Sequence, residues 1–173
     1  MRTKIDQIVL VILVAGLIAT LPLIATVASQ SATPASGTPA ATSSVVREVL
    51  AASDPAAAPG EVLQLVRYTI AAGAILPIHT HPGDQMATVD SGVLTYHVMA
   101  DGEVTITRAD GMSEAAGPGE TVTFQVGDSW VEPEGMVHYA ENRTDEPVVL
   151  VASSLFEADE APSQIVDLAT PAA

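Results

Sequence analysis

The chain has 173 residues, with 6 Lys or Arg against 21 Asp or Glu and a formal net charge of -15 at pH 7. An acidic excess of this size argues against nucleic acid and anionic membrane surfaces as partners, because both are met by basic patches. The absence of cysteine excludes disulfides, thiolate metal ligands and a lipidated cysteine.

Arg2 and Lys4 precede an uncharged apolar run from Ile8 to about Ala28. About 20 apolar residues span a bilayer as a helix. No basic residue follows until Arg47, so this hydrophobic helix is oriented with its amino terminus in the cytoplasm. Residues 1–28 read either as a retained transmembrane signal anchor or as a signal peptide cut near Ala28 or Ala32. On both readings the rest of the chain is extracytoplasmic, and any membrane attachment runs through this helix alone. Residues 29–43 are Ser, Thr, Ala, Pro and Gly with no charge or large apolar side chain. Such a composition cannot offset its ordering entropy and makes a flexible linker.

Residues 44–158 form one domain of ordinary size. Its short runs of alternating or β-branched residues, separated by turn signals, predict an all-β fold. The expected strands are 45–50, 62–71, 75–81, 85–90, 93–99, 103–108, 121–126, 129–131, 137–142 and 148–156. The last, VVLVASSLF, is apolar nearly throughout and is expected to be buried on both faces. Asp110 to Gly119 has room for an extra hairpin, over the mouth of the fold or as a surface excursion. In the tail, 159–173, Ile165, Val166 and Leu168 are available to dock back as a short strand.

His79 and His81 are two apart, and Gln85 follows four residues later. If 75–81 is extended, the period of two puts both imidazoles on one face, where a single ion could meet both. An isolated pair of this kind is as readily two surface histidines. The later stretch from Gly127 to Asn142, GDSWVEPEGMVHYAEN, adds His138 behind a Pro-x-Gly turn.

Together these stretches resemble the two motifs of the cupin superfamily. Gly73, His79, His81 and Gly92 match the first, with Gln85 where a glutamate usually stands. Gly127, Pro133, Gly135, His138 and Asn142 fill the second. The resemblance covers roughly residues 45 to 157. It implies a double-stranded β-helix, or jelly-roll barrel, a divalent transition metal held by His79, His81, Gln85 and His138, and a small-molecule ligand in the cavity. Fe, Mn, Zn, Cu and Ni all suit such a donor set. A homodimer is also open to members of the class.

The amide at Gln85 brings no charge, so this ligand set is formally neutral. Three readings stay open: Gln85 is a ligand, three histidines act alone, or the site has lapsed. Because imidazoles must be neutral to bind, metal release is expected below about pH 6. No further carboxylate is expected as a general base. His97 is expected to face solvent, Tyr96 and Trp130 to pack in the core, Met136 to flank the cavity and Asn142 to hydrogen-bond a turn. Gly73, Gly92, Gly127, Pro133 and Gly135 read as backbone-shaping positions.

Three functions fit: an enzyme with dioxygenase-like or hydrolytic chemistry at the metal, a non-catalytic ligand-binding or sensing module, and a metal-free structural barrel. Phosphosugar isomerisation is disfavoured by the extracytoplasmic location and by the scarcity of basic residues.

Overall fold

The structure is a computed structural model and describes residues 44–167. The expected amino-terminal helix, all of the linker and Leu168 lie outside the described residues. Among the described residues no helix is long and apolar enough to cross a membrane.

Twelve strands and no helix make up the described chain: β1 (Val45–Ser53), β2 (Glu61–Ile70), β3 (His79–Thr80), β4 (Gly83–Ser91), β5 (Leu94–Ala100), β6 (Val104–Thr107), β7 (Ser113–Ala116), β8 (Thr121–Phe124), β9 (Ser129–Glu132), β10 (Val137–Glu141), β11 (Val148–Glu157) and β12 (Gln164–Ile165). They form a seven-stranded sheet, β1-β2-β11-β4-β9-β6-β7, and a five-stranded sheet, β12-β3-β10-β5-β8. Their pairings are antiparallel. The period-two alternation of the sequence sorts side chains between interior and exterior. In β5, Leu94, Tyr96 and Val98 point inward, and in β9 Trp130 and Glu132 do. The aromatic centre of the core is Phe124 stacked on Trp130 at 4.1 Å, with Tyr96 edge-on to Phe124 at 5.6 Å.

Two elements differ from the sequence reading, strand 75–81 and β11, while the extra hairpin and the short docked strand of the tail are both present. The expected strand 75–81 shrinks to β3 plus an isolated bridge between Ile75 and Glu141, because Pro77 has no N–H to give a ladder. Strand β11 is buried on one face and half-buried on the other. The extra hairpin forms as β6 and β7 at the edge of the larger sheet, a surface excursion away from the cavity. In the tail, Gln164 and Ile165 pair with β3, and Val166 N–H donates to the Ile78 carbonyl at 3.0 Å.

Turn chemistry holds β9 and β10 in place. Asp128 accepts from the backbone N–H of Gln125 and of Ala109, both at 3.0 Å, and from Arg108 at 2.8 Å, pinning the turn that leads into Trp130 and Glu132. The Gly135 N–H donates to the His81 carbonyl at 3.1 Å and so ties the two histidine-bearing segments together. Asn142 donates to the carbonyls of Ile70, Ala71 and Glu146 and accepts from Thr144, closing the turn beyond β10 as expected. Gly92 sits at φ 86, and a Cβ there would lie 2.9 Å from the Pro147 carbonyl oxygen, so both conformation and space require glycine.

Candidate metal centre

His79 and His138 face each other as a direct cross-strand pair between β3 and β10. His81 follows one alternation later, and all three rings are buried. Ring centroids are separated by 4.3 Å for His79 and His138, 4.9 Å for His79 and His81, and 5.1 Å for His81 and His138. One ring nitrogen from each lies within 4.8 Å of the others.

Backbone carbonyls orient the rings. His79 Nδ1 lies 2.8 Å from the Pro77 oxygen, His81 Nδ1 2.6 Å from Pro162 and His138 Nδ1 3.0 Å from Met136. A carbonyl can only accept, so each Nδ1 carries its proton and donates. The Nε2 atoms are left as the ligand-competent nitrogens, the second-shell device by which proteins fix a metal-binding tautomer. Phe156 stacks on His81 at 5.3 Å and Tyr96 on His138 at 5.2 Å, which holds both rings against rotation.

The feature absent from the sequence expectation is Glu132. It is 3% exposed, stands directly opposite Gln85 in the β4–β9 register, and its oxygens lie 3.3 Å from His81 Nε2 and 3.7 Å from His138 Nε2. Gln85 Nε2 donates to Glu132 Oε2 at 2.8 Å, and Trp130 Nε1 donates to Oε1 at 2.7 Å. A carboxylate oxygen at 2.8 Å requires a donor, which settles the orientation of the Gln85 amide. Its nitrogen faces Glu132 and also lies 3.4 Å from His81 Nε2, while its oxygen turns away to accept from the Tyr68 hydroxyl at 3.4 Å. Arg47 continues the chain, with Nε 3.3 Å from the Tyr68 hydroxyl and a second guanidinium nitrogen bonded to Gln64. The sequence reading had ended β9 at Val131; the inward phase of Trp130, carried two residues on, was the signal for Glu132.

Charge follows from this geometry. Burial by itself would raise the Glu132 carboxyl, but the facing His138 and His81 and the hydrogen bonds from His81 and Trp130 outweigh it and keep the group ionised. Burial, with the neighbouring His138, pushes His79 down to about 4. His138 is also lowered, chiefly by burial. For His81 burial acts downward, yet the hydrogen bond and charge of Glu132 and the Pro162 carbonyl raise it. The imidazoles therefore do not stand in a neutral setting: one buried carboxylate faces two of them.

The remaining expectations resolve as follows. Tyr96 and Trp130 are core residues as expected, and both also line the cavity. Met136 is fully buried, and its carbonyl orients His138. His97 lies on the opposite face from the cavity, as its phase predicts, but it is only half-buried. It stacks on Tyr139 at 4.1 Å and spans Thr121 Oγ1, at 2.9 Å, and Glu141 Oε1, at 2.8 Å. Beside the three histidines lies a cavity of about 200 Å³.

A family model described as a cupin domain matches residues 66–154, which is more than half of the chain. Solved structures with a similar fold include an oxalate oxidase in complex with the substrate analogue glycolate, at 18% identity and TM-score 0.44 over 60% of this chain and 46% of that one. Another is an uncharacterised double-stranded β-helix protein from Klebsiella pneumoniae, at 19% identity and TM-score 0.44 over 74% and 89%. A third is the Bacillus subtilis oxalate decarboxylase in an S161A form, at 26% identity and TM-score 0.42 over 60% and 24%. The chain thus spans less than half the length of the oxalate oxidase and about a quarter of the decarboxylase. No curated protein matches.

Proposed function

The chain belongs to the cupin family, and from that premise we propose that it is an extracytoplasmic barrel holding one divalent transition metal through His79, His81 and His138, with Glu132 as the charged fourth partner, and binding a small molecule beside it. The observation that carries this reading is the shared orientation of the three imidazoles: each Nδ1 is tied to a backbone carbonyl, leaving three Nε2 atoms beside a buried carboxylate. Gln85 holds Glu132 in place rather than offering its own oxygen.

An ion bound here would supply Lewis acidity to an oxygen of the bound molecule. The protein side chains do the rest. Glu132 balances charge and is held by Trp130, while Tyr96 and Phe156 keep the rings of His138 and His81 oriented. A carboxylate held strongly ionised is a weak base, so Glu132 does not favour proton abstraction. Ligand binding, or chemistry at the metal that needs no protein base, is better supported than general-base hydrolysis. Export rests on the Arg2, Lys4 and apolar-run pattern alone, and cell fractionation tests it.

Elemental analysis of untagged protein tests the centre. The expected result is near one equivalent of a transition metal, lost in a His79→Ala, His138→Ala double variant. Fresh protein with none, and no rise in melting temperature on adding Mn(II), Fe(II), Zn(II), Cu(II) or Ni(II), overturns it in favour of a metal-free barrel.

A further inference from the structure

The cavity wall divides into two unlike halves. One carries the imidazoles, Glu132 and the two tyrosines, Tyr68 and Tyr96; the other is aliphatic, built from Ile70, Ala87, Leu94, Ala140, Leu150 and Ala152. Three of these six are alanines, Ala87 and Ala152 paired across β4 and β11 and Ala140 on β10 of the facing sheet, and their small side chains leave the space open. A cavity of about 200 Å³ exceeds the roughly 150 Å³ apolar cavity that admits benzene in an engineered protein, so a six-membered ring with a short substituent fits.

No fixed cation lines this space. Arg2 and Lys4 lie outside the described residues. Arg67 pairs with Glu48, Arg108 with Glu114 and Asp128, and Arg143 with Glu141. Arg47 stands behind Tyr68, 5.9 Å from its ring centroid and bonded to Tyr68 and Gln64. In the metal-free protein a dianion would enter a wall that already carries the Glu132 charge and meet no guanidinium or ammonium there. Burying such a charge without a partner is strongly unfavourable.

The Tyr96 hydroxyl is the second independent pointer. Tyr96 is 1% exposed and lines the cavity, and its hydroxyl makes no hydrogen bond of ordinary geometry, with the Glu132 carboxylate as a polar neighbour. A buried hydroxyl left unpaired costs about 1–3 kcal/mol, a cost that a ligand oxygen placed against it would relieve.

We propose that the ligand is a small uncharged molecule with a ring-sized or branched apolar body and one hydroxyl or carbonyl group, the body lying on the alanine-rich wall and the oxygen reaching Tyr96 and the imidazoles. Short dicarboxylates are rejected by the metal-free protein, in which no ion offsets their charge. This deepens the metal-centre reading and rests on it only for the imidazole end of the ligand; the apolar wall and Tyr96 stand without an ion.

The test is calorimetric titration and thermal melting of the full domain, both metal-free and Zn(II)-loaded, with phenol, benzyl alcohol, toluene and malonate as probes. Phenol and benzyl alcohol are expected to bind in both states, toluene more weakly, and malonate not at all to the metal-free protein. Tyr96→Phe is expected to weaken phenol roughly three- to tenfold and to leave toluene unchanged, a split that general loosening of the core would not produce. Ala152→Leu is expected to remove binding of all three aromatic probes; if it does not fold, Ala140→Val gives the same readout with less added volume. Malonate binding to the metal-free protein more tightly than phenol, or no response to any neutral probe at millimolar concentration, overturns the inference. Failure to take up Zn(II) counts against the metal centre alone, because the metal-free titrations decide the ligand class independently.

Discussion

Replacing Glu132 by glutamine keeps the shape of the side chain and removes its charge from a position 3.3 Å from His81 Nε2 and 3.7 Å from His138 Nε2. Unit charges about 4 Å apart interact by about 4 kcal/mol at the effective dielectric of a protein site. Much of the cost of burying the carboxylate is already offset by the Gln85 and Trp130 donors. A loss of about 2–4 kcal/mol in metal binding is therefore expected, roughly 30- to 1,000-fold in affinity. Competitive titration against a chromophoric chelator measures it, with melting temperature of the metal-free protein as a check on folding. The companion variant Gln85→Glu should not tighten binding by itself. Gln85 Nε2 is 2.8 Å from Glu132 Oε2, so a second carboxylate there would share a proton with the first. The double exchange, Gln85→Glu with Glu132→Gln, returns the charge to β4 and should recover affinity to within about tenfold of the parent. Wild-type affinity in Glu132→Gln would refute the assignment of the charge to that residue.

Metal affinity should begin to fall above pH 6.5 rather than near 6. His81, raised by Glu132 despite its burial, is the imidazole protonated first; binding must expel that proton, and the ion is lost as pH drops through the raised value. His79, lowered to about 4 by burial, stays neutral far longer, so just below pH 6.5 the slope should be near one proton per ion, and a slope of three contradicts the geometry. Truncation after Ala161 removes the Pro162 carbonyl that orients His81 and the Ile165 wall. It should weaken metal binding about 10- to 100-fold in the same titration, and unchanged affinity would show that the tail has no hold on the site. Phe124→Ala empties the fully buried position between Tyr96 and Trp130 and should cost about 3–5 kcal/mol in urea unfolding; a loss below about 1 kcal/mol would mean that the aromatic stack is not the centre of the core.

The three histidines were legible because local rules carry them. A period of two places His79 and His81 together, and the Pro133 to Gly135 turn brings His138 back at fixed spacing. Ten of the twelve strands follow from alternation and turn residues for the same reason. The exceptions are β7, whose SEAA sequence has little strand character, and β12, two residues held by β3 rather than by their own pattern. The cause in each case is tertiary: pairing partners decide the element, and propensity does not.

Glu132 belongs to the same class of omission, with a greater consequence. Its neighbour Gln85 lies 47 positions away in the chain, and only the β4–β9 register makes them adjacent. From the sequence, a glutamine in the usual glutamate position reads as the loss of a charge. In the fold, the residue facing that glutamine across one strand spacing supplies the charge instead, and the amide becomes the donor that holds it. A site of this kind conserves its electrostatics through a cross-strand pair rather than through one position. Reading a barrel site from a motif alone therefore undercounts its charges wherever the inward phase of an adjacent strand carries an acid, as Glu132 does on β9.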